Sequence, residues 1–129
     1  NLYTGFGITQ VFLLGATKLT GDVVLCYLLF SILFFVGSLI SDLRDYRGDK
    51  AVGIKTMPVY VGYNATKKFI YFLLIMFSIS ILGLNLPELF ILLPFALLMF
   101  FFLGMNKPDI AHFCGGISFV LLAIRLVIA

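Results

Sequence analysis

From Val23 to Ile40 the chain carries no charged side chain, and directly behind that run stands Asp42-Leu43-Arg44-Asp45-Tyr46-Arg47-Gly48-Asp49. A helix that crosses a bilayer needs about 20 predominantly apolar residues, within a range of about 17 to 25. The apolar run meets that length, so the octapeptide belongs at a membrane surface. Carboxylates there are unfavourable unless they meet water, a cation or a partner. Three of the six acidic residues are concentrated in it, which marks it as the place where chemistry is expected.

Composition supports the membrane reading. Hydrophobic residues make up 62% of the 129 and charged residues 12%, with mean hydropathy +1.15. Soluble domains run near half apolar and a quarter charged, so a soluble fold is excluded. The formal charge of +3 is unevenly spread: six of the nine Lys and Arg lie between Arg44 and Lys68. Such clustering fits one cytoplasmic loop of a multi-pass protein in the cell membrane and gives no reason to expect nucleic acid as a partner. Cys26 and Cys114 sit in apolar surroundings without metal-ligand spacing and read as small packing residues. No signal peptide is visible. The chain opens at Asn1 in an already apolar segment, from which a preceding part of a longer protein is expected.

The expected fold is all-α, a polytopic transmembrane helix bundle of about five helices, with residues 1–129 forming a single transmembrane unit. The apolar segments cover roughly 2–17, 23–40, 69–84, 89–103 and 110–128, and the polar stretch 41–68 reads as a cytoplasmic cap loop. Thr20-Gly21-Asp22, Asn85-Leu86-Pro87-Glu88 and Asn106-Lys107-Pro108-Asp109 supply the breaks, since Gly, Pro, Asn and Asp interrupt or cap helices. Asp22 and Asp109 each open a helix, where a carboxylate can cap free N–H groups. With the basic stretch inside the cell, the turn at Lys107 is also internal and the Asn85 turn external. The abundance of Phe, 15 residues with no Trp, suits ordinary lipid-facing packing and equally a slot for isoprenoid chains.

If the second apolar helix continues into the acidic stretch, Asp42, Asp45 and Asp49 share one face, and Ser38, Phe35 and Ser31 extend it back towards the membrane. Arg44, Arg47 and Lys50 then point elsewhere. Hard oxygen donors with no His or Cys among them favour Mg2+ bound together with a phosphorylated ligand. The plain alternative is a solvated juxtamembrane helix laced with Asp–Arg pairs.

The residues that follow are Gly48-Asp49-Lys50-Ala51-Val52-Gly53-Ile54-Lys55-Thr56-Met57-Pro58-Val59-Tyr60-Val61-Gly62. Together with Asp42 and Asp45 they closely resemble the second aspartate-rich motif of the UbiA family of intramembrane prenyltransferases. The resemblance covers about twenty residues: an acid pair, a Gly-Asp-Arg/Lys element and a Gly-x-Lys-Thr-x-Pro-like tail. It implies that this chain corresponds to the second half of a nine-helix bundle whose cytoplasmic caps hold magnesium and an isoprenyl diphosphate. The other family motif, an Asn with two Asp, is absent from these 129 residues, so a missing N-terminal half is an implied partner. Asp45 and Asp49 match the acid pair, expected to ligate metal and to be the catalytic residues, and Asp42 matches a frequent extra metal-binding acid. Lys50 and Lys55 match basic positions expected to face the diphosphate; Arg44 and Arg47 either serve similarly or are ordinary cytoplasmic positive charges, and Tyr46, inside the motif, is expected to line the substrate pocket.

The expected function is therefore magnesium-dependent transfer of a prenyl group from an isoprenyl diphosphate to a lipophilic acceptor, aromatic or glycerol-ether lipid, within the bilayer. The Asp-Leu-Arg-Asp-x-x-Gly-Asp form looks most like members that make archaeal ether lipids. CDP-alcohol phosphotransferases also use Asp-rich motifs, but there Gly follows the second Asp, where this chain has Tyr46. A non-enzymatic transporter or channel subunit with an acidic cation-binding mouth is the alternative from a different class. His112, near the start of the last helix, reads as an interfacial hydrogen-bonding residue, Gly115-Gly116 as a close helix contact, and Gln10 as a helix–helix hydrogen bond or an acceptor contact.

Overall fold

A computed structural model describes residues 21–84 and 87–128. The first apolar segment with Gln10 and Lys18, the Asn85-Leu86 turn, and the side chains of Asp22, Cys26, Glu88 and Arg125 lie outside the described residues. All described regular structure is helical: α1 (Gly21–Val52), α2 (Met57–Val61), α3 (Tyr63–Gly83), a 3-10 segment (Pro87–Leu92), α4 (Leu93–Gly104) and α5 (Pro108–Ile128). Tyr27–Val52 and Tyr63–Gly83 are each long and apolar enough to cross a membrane, and Leu89–Gly104 is a shorter apolar helical stretch.

The bundle is built on regular apolar spacing. In α1 the buried residues Leu29, Leu33, Val36, Ile40 and Leu43 recur at alternating steps of four and three, a seam that packs helices side by side. Thr66, Ile70, Leu74, Phe77 and Ile81 form the matching row of α3, and Ala96, Met99 and Leu103 that of α4. α1 packs against α2, α3 and α5, and α4 against α3 and α5. The opposite faces are apolar too: Phe72, Ile79 and Leu82 of α3 and Leu97 and Phe101 of α4 are exposed. Helices that are apolar inside and outside belong in lipid.

The stretch 41–68, read from hydropathy as a loop, is mostly helix. α1 continues through it to Val52 because nothing between Ser41 and Val52 breaks a helix; Gly48 is tolerated. It stops at Gly53, which takes φ +74, and the Ile54 N–H closes on the Asp49 carbonyl at 2.9 Å. This is the six-residue return bond of a glycine-terminated helix. Gly62, at φ +100, separates α2 from α3, and its carbonyl accepts both the backbone N–H and the hydroxyl of buried Thr66, each at 3.1 Å. The fourth apolar segment also starts differently from its hydropathy boundary. Pro94 lacks an N–H and its ring crowds the carbonyl four residues back, so an α-helix does not run through Leu89–Leu92; it begins at Leu93, and a 3-10 segment precedes it.

Candidate functional site

The polar end of α1, the α1–α2 connection, the start of α3 and the α4–α5 turn meet at one end of the bundle. Lys67 Nζ donates to Asn106 Oδ1 at 2.6 Å, and Arg44 Nε lies 3.9 Å from Asp109 Oδ1. The cations clustered in sequence between Arg44 and Lys68 thus share this end with Lys107.

Two cavities flank α1 here, and they divide the expected site residues. The first, of about 360 Å³, is lined by Phe35, Leu39, Asp42, Ile54, Lys55, Thr56 and Met57. One carboxylate and one ammonium stand at its polar end, and Phe35, Leu39 and Met57 supply an apolar wall leading back along α1. Phe35 is held edge-on to Phe69 of α3, with ring centroids 6.4 Å apart. The return at Gly53 is what brings Ile54, Lys55 and Thr56 back against Asp42. Thr56 precedes α2 where a threonine often caps, yet its hydroxyl makes no cap bond, and its buried oxygen has no hydrogen-bond partner among the described residues.

The second cavity, of about 490 Å³, is lined by Leu43, Arg44, Tyr46, Arg47, Tyr63, Asn64, Asn106 and Pro108. Arg44, Arg47 and Tyr46 therefore lie with α3 and the α4–α5 turn, apart from Asp42 and Lys55. Tyr46 packs on Tyr63 with centroids 5.6 Å apart, and Lys50 Nζ sits 5.8 Å from the centroid of the Tyr46 ring.

The three acidic side chains do not converge. At about 100° per residue, Asp42 and Asp49 differ by about 20° around α1 but by about 10 Å along it, and Asp45 is turned about 60° from Asp42. Asp45 is gripped by Arg44: Nε donates to Oδ1 at 2.8 Å and Nη2 to Oδ2 at 2.9 Å, while Nη2 also reaches Ser41 Oγ at 3.2 Å. This is the Asp–Arg pairing expected of a solvated helix end. The pair lies beyond the apolar run, and the Arg44 hydrogen bond holds the Asp45 carboxyl below the usual carboxylate range. Asp49 is half-buried and accepts the α1 return bond through its backbone carbonyl. Among the described residues no group of three or more His, Cys, Asp or Glu is close enough to hold a metal ion.

That spacing still suits magnesium, which commonly takes one or two protein carboxylates and completes its shell with water and substrate phosphates. All three side chains offer hard oxygen donors.

A family model described as the UbiA prenyltransferase family matches residues 1–109. The chain belongs to the UbiA prenyltransferase family. No curated protein and no solved structure matches the chain. UbiA family proteins are membrane-integral and are generally prenyltransferases, in keeping with the two long apolar helices. The matched region takes in every residue lining both cavities. Several of these residues carried no expected role: Thr56 and Met57 in the first cavity, and Tyr63, Asn64 and Asn106 in the second. Gly53 and Gly62 were the available signal, because glycines bracketing Ile54–Val61 mark reversals that press such a segment back onto the preceding helix.

Proposed function

We propose that the first cavity is part of the diphosphate site of a magnesium-dependent prenyltransferase acting inside the membrane, at the cytoplasmic end of the bundle. The observation that carries this is the union of Asp42 and Lys55 at the polar end of an apolar wall, in a chain of the UbiA family. The isoprenoid tail would lie along Phe35 and Leu39, with the diphosphate at the level of Lys55.

Asp42, Asp45 and Asp49 are the carboxylates that would hold magnesium, with a further acidic motif supplied by a segment outside these residues. Bound magnesium supplies charge neutralisation of the diphosphate leaving group. Lys55, which lines the same cavity as Asp42, would meet the same developing negative charge, and Lys50 is the second cation proposed for it; fixed charges aimed at charge that forms during reaction are the main catalytic lever. The allylic C–O bond breaks with its electron pair going to the diphosphate. An electron-rich atom of the acceptor forms the new bond to that carbon, and its proton passes to the released diphosphate. Phe35, Leu39 and Met57 keep water from the carbocation. The lipophilic acceptor and the bilayer complete the set of partners, and the cytoplasmic placement follows from the clustered cations of this end.

The test is binding of an isoprenyl diphosphate to the full-length protein in detergent, with and without magnesium, repeated for Asp45→Ala and Asp49→Ala. Magnesium-dependent binding lost in both folded variants is the expected result. Binding indifferent to magnesium and to both carboxylates would refute the reading and leave a membrane protein whose acids handle cations or only support structure.

A further inference from the structure

The second cavity shares α1 with the first but none of its lining residues. We infer that it is a separate site for a phosphate group, carried by the headgroup of an anionic phospholipid.

The argument starts from the lining. Its charged side chains are Arg44 and Arg47, with no acid among them; Tyr46, Tyr63, Asn64 and Asn106 add neutral polar groups. The surrounding structure prepares these donors. Arg44 is fixed by Asp45 and Ser41 through Nε and Nη2, which leaves the rest of its guanidinium fork available in a set orientation. Asn106 turns the chain at φ +56, and its Oδ1 is taken by Lys67, so its amide N–H groups remain to be used. Asp45 and Asp109 offset Arg44, whereas Arg47 is exposed and makes no ion pair among the described residues. The uncompensated charge of the cavity is therefore positive, and it comes from Arg47.

Position narrows the ligand. The cavity opens beside Leu43, one turn beyond the apolar run of α1, where the helix leaves hydrocarbon for the headgroup layer. Basic pockets between membrane helices at that depth take phospholipid headgroups, and Arg is the side chain best matched to phosphate oxygens. A tyrosine pair at the same level is the usual aromatic lining of that layer.

The experiment uses the full-length protein, delipidated and then titrated with phosphatidylglycerol or phosphatidylcholine, with bound lipid counted by native mass spectrometry. The expected result is preferential retention of phosphatidylglycerol, weakened about tenfold in Arg47→Gln, as befits loss of a charge-assisted hydrogen bond. Lys55→Gln, in the other cavity, leaves that retention unchanged. A second arm adds glycerol phosphate. Failure to compete supports the lipid source; competition that depends on Arg47 supports the phosphate site but assigns it to a soluble ligand. Equal retention of both lipids, or retention indifferent to Arg47→Gln, overturns the inference. Displacement of the lipid by isoprenyl diphosphate also overturns it, because the two cavities would then act as one site. Diphosphate binding that fails while lipid retention behaves as expected refutes only the prenyl-transfer reading.

Discussion

Gly48 lies inside α1 and Gly53 just past its end, and a Cβ built on either meets nothing within 4 Å. Steric contact therefore drops out of the comparison, and backbone conformation alone decides what alanine does at each position. At Gly53 the φ of +74 is a region where an L side chain crowds its own backbone, at about 1–2 kcal/mol. Alanine also narrows the unfolded ensemble by about 0.4–1 kcal/mol, which offsets part of this. The net expectation for Gly53→Ala is a loss of about 1 kcal/mol. At Gly48 the helix already has the conformation alanine prefers, so Gly48→Ala should gain about 0.5–1 kcal/mol. The two variants should differ by nearly 2 kcal/mol, roughly a twentyfold change in an equilibrium constant.

Reversible unfolding of the full-length protein in mixed micelles would read the overall shifts. Hydrogen exchange at the Ile54 amide, which donates to the Asp49 carbonyl, would read the same effect locally. Gly53→Ala should speed that exchange and Gly48→Ala should not. Gly53→Asn should fall between wild type and Gly53→Ala, because asparagine tolerates positive φ better than alanine does. Shifts of the same sign in the two alanine variants, or a neutral Gly53→Ala, would refute the claim that a left-handed glycine sets the return of the chain onto Asp42.

Lys55→Gln should weaken isoprenyl diphosphate binding about tenfold, with partial recovery in Lys55→Arg, as measured by calorimetry in detergent; unchanged affinity would remove Lys55 from the site. Thr56→Val should stabilise the ligand-free protein by about 1 kcal/mol, because the hydroxyl oxygen is buried without a partner among the described residues and valine keeps its shape. A destabilised Thr56→Val would mean that the hydroxyl has a partner after all. A Cβ on Gly115 would stand 3.3 Å from Met99 Cε and 3.6 Å from its Sδ, so Gly115→Ala should be absorbed by the flexible thioether at under about 1 kcal/mol. Gly115→Leu should wedge α5 from α4 and cost about 1–3 kcal/mol in the same unfolding assay; equal behaviour of the two variants would contradict that packing.

Hydropathy made the apolar parts of the helices legible, but it said little about where the helices end. Asp42 to Asp49 is polar and reads as loop, yet the stretch contains no Pro, so helix propensity carries α1 straight through it. The reverse holds at Leu89–Leu92, where an apolar run reads as α-helix but Pro94 delays the start of α4. The candidate site was legible as a set of residues and not as an arrangement. Asp42 and Lys55 meet because of Gly53, a turn the motif contains but does not explain. Arg44, Tyr46 and Arg47 were grouped with the acids by sequence proximity. Their partners Tyr63, Asn64 and Asn106 come from elements distant in sequence, and only the packing of α1 on α3 and α5 brings them together. The Arg44–Asp45 clamp joins side chains that a wheel drawing of the helix would keep apart, since neighbouring residues can still meet through a long Arg side chain.

The length of α1 explains why both cavities form at one end. Its 32 residues extend about 48 Å, against a hydrocarbon core of about 30 Å. The surplus of about 18 Å corresponds to the stretch Ser41–Val52, which carries the acids and Arg44, Arg47 and Lys50. Were the helix to stop at the membrane surface, these side chains would sit on a connection free to change shape. A continuous helix instead carries the registry of the membrane bundle into the polar layer. The rows that bury Leu39 and Leu43 against α3 and α5 then fix where Asp42 and Arg47 face. Packing inside the membrane thereby sets the geometry of charges outside it, although among the described residues no charged side chain is buried in the apolar core.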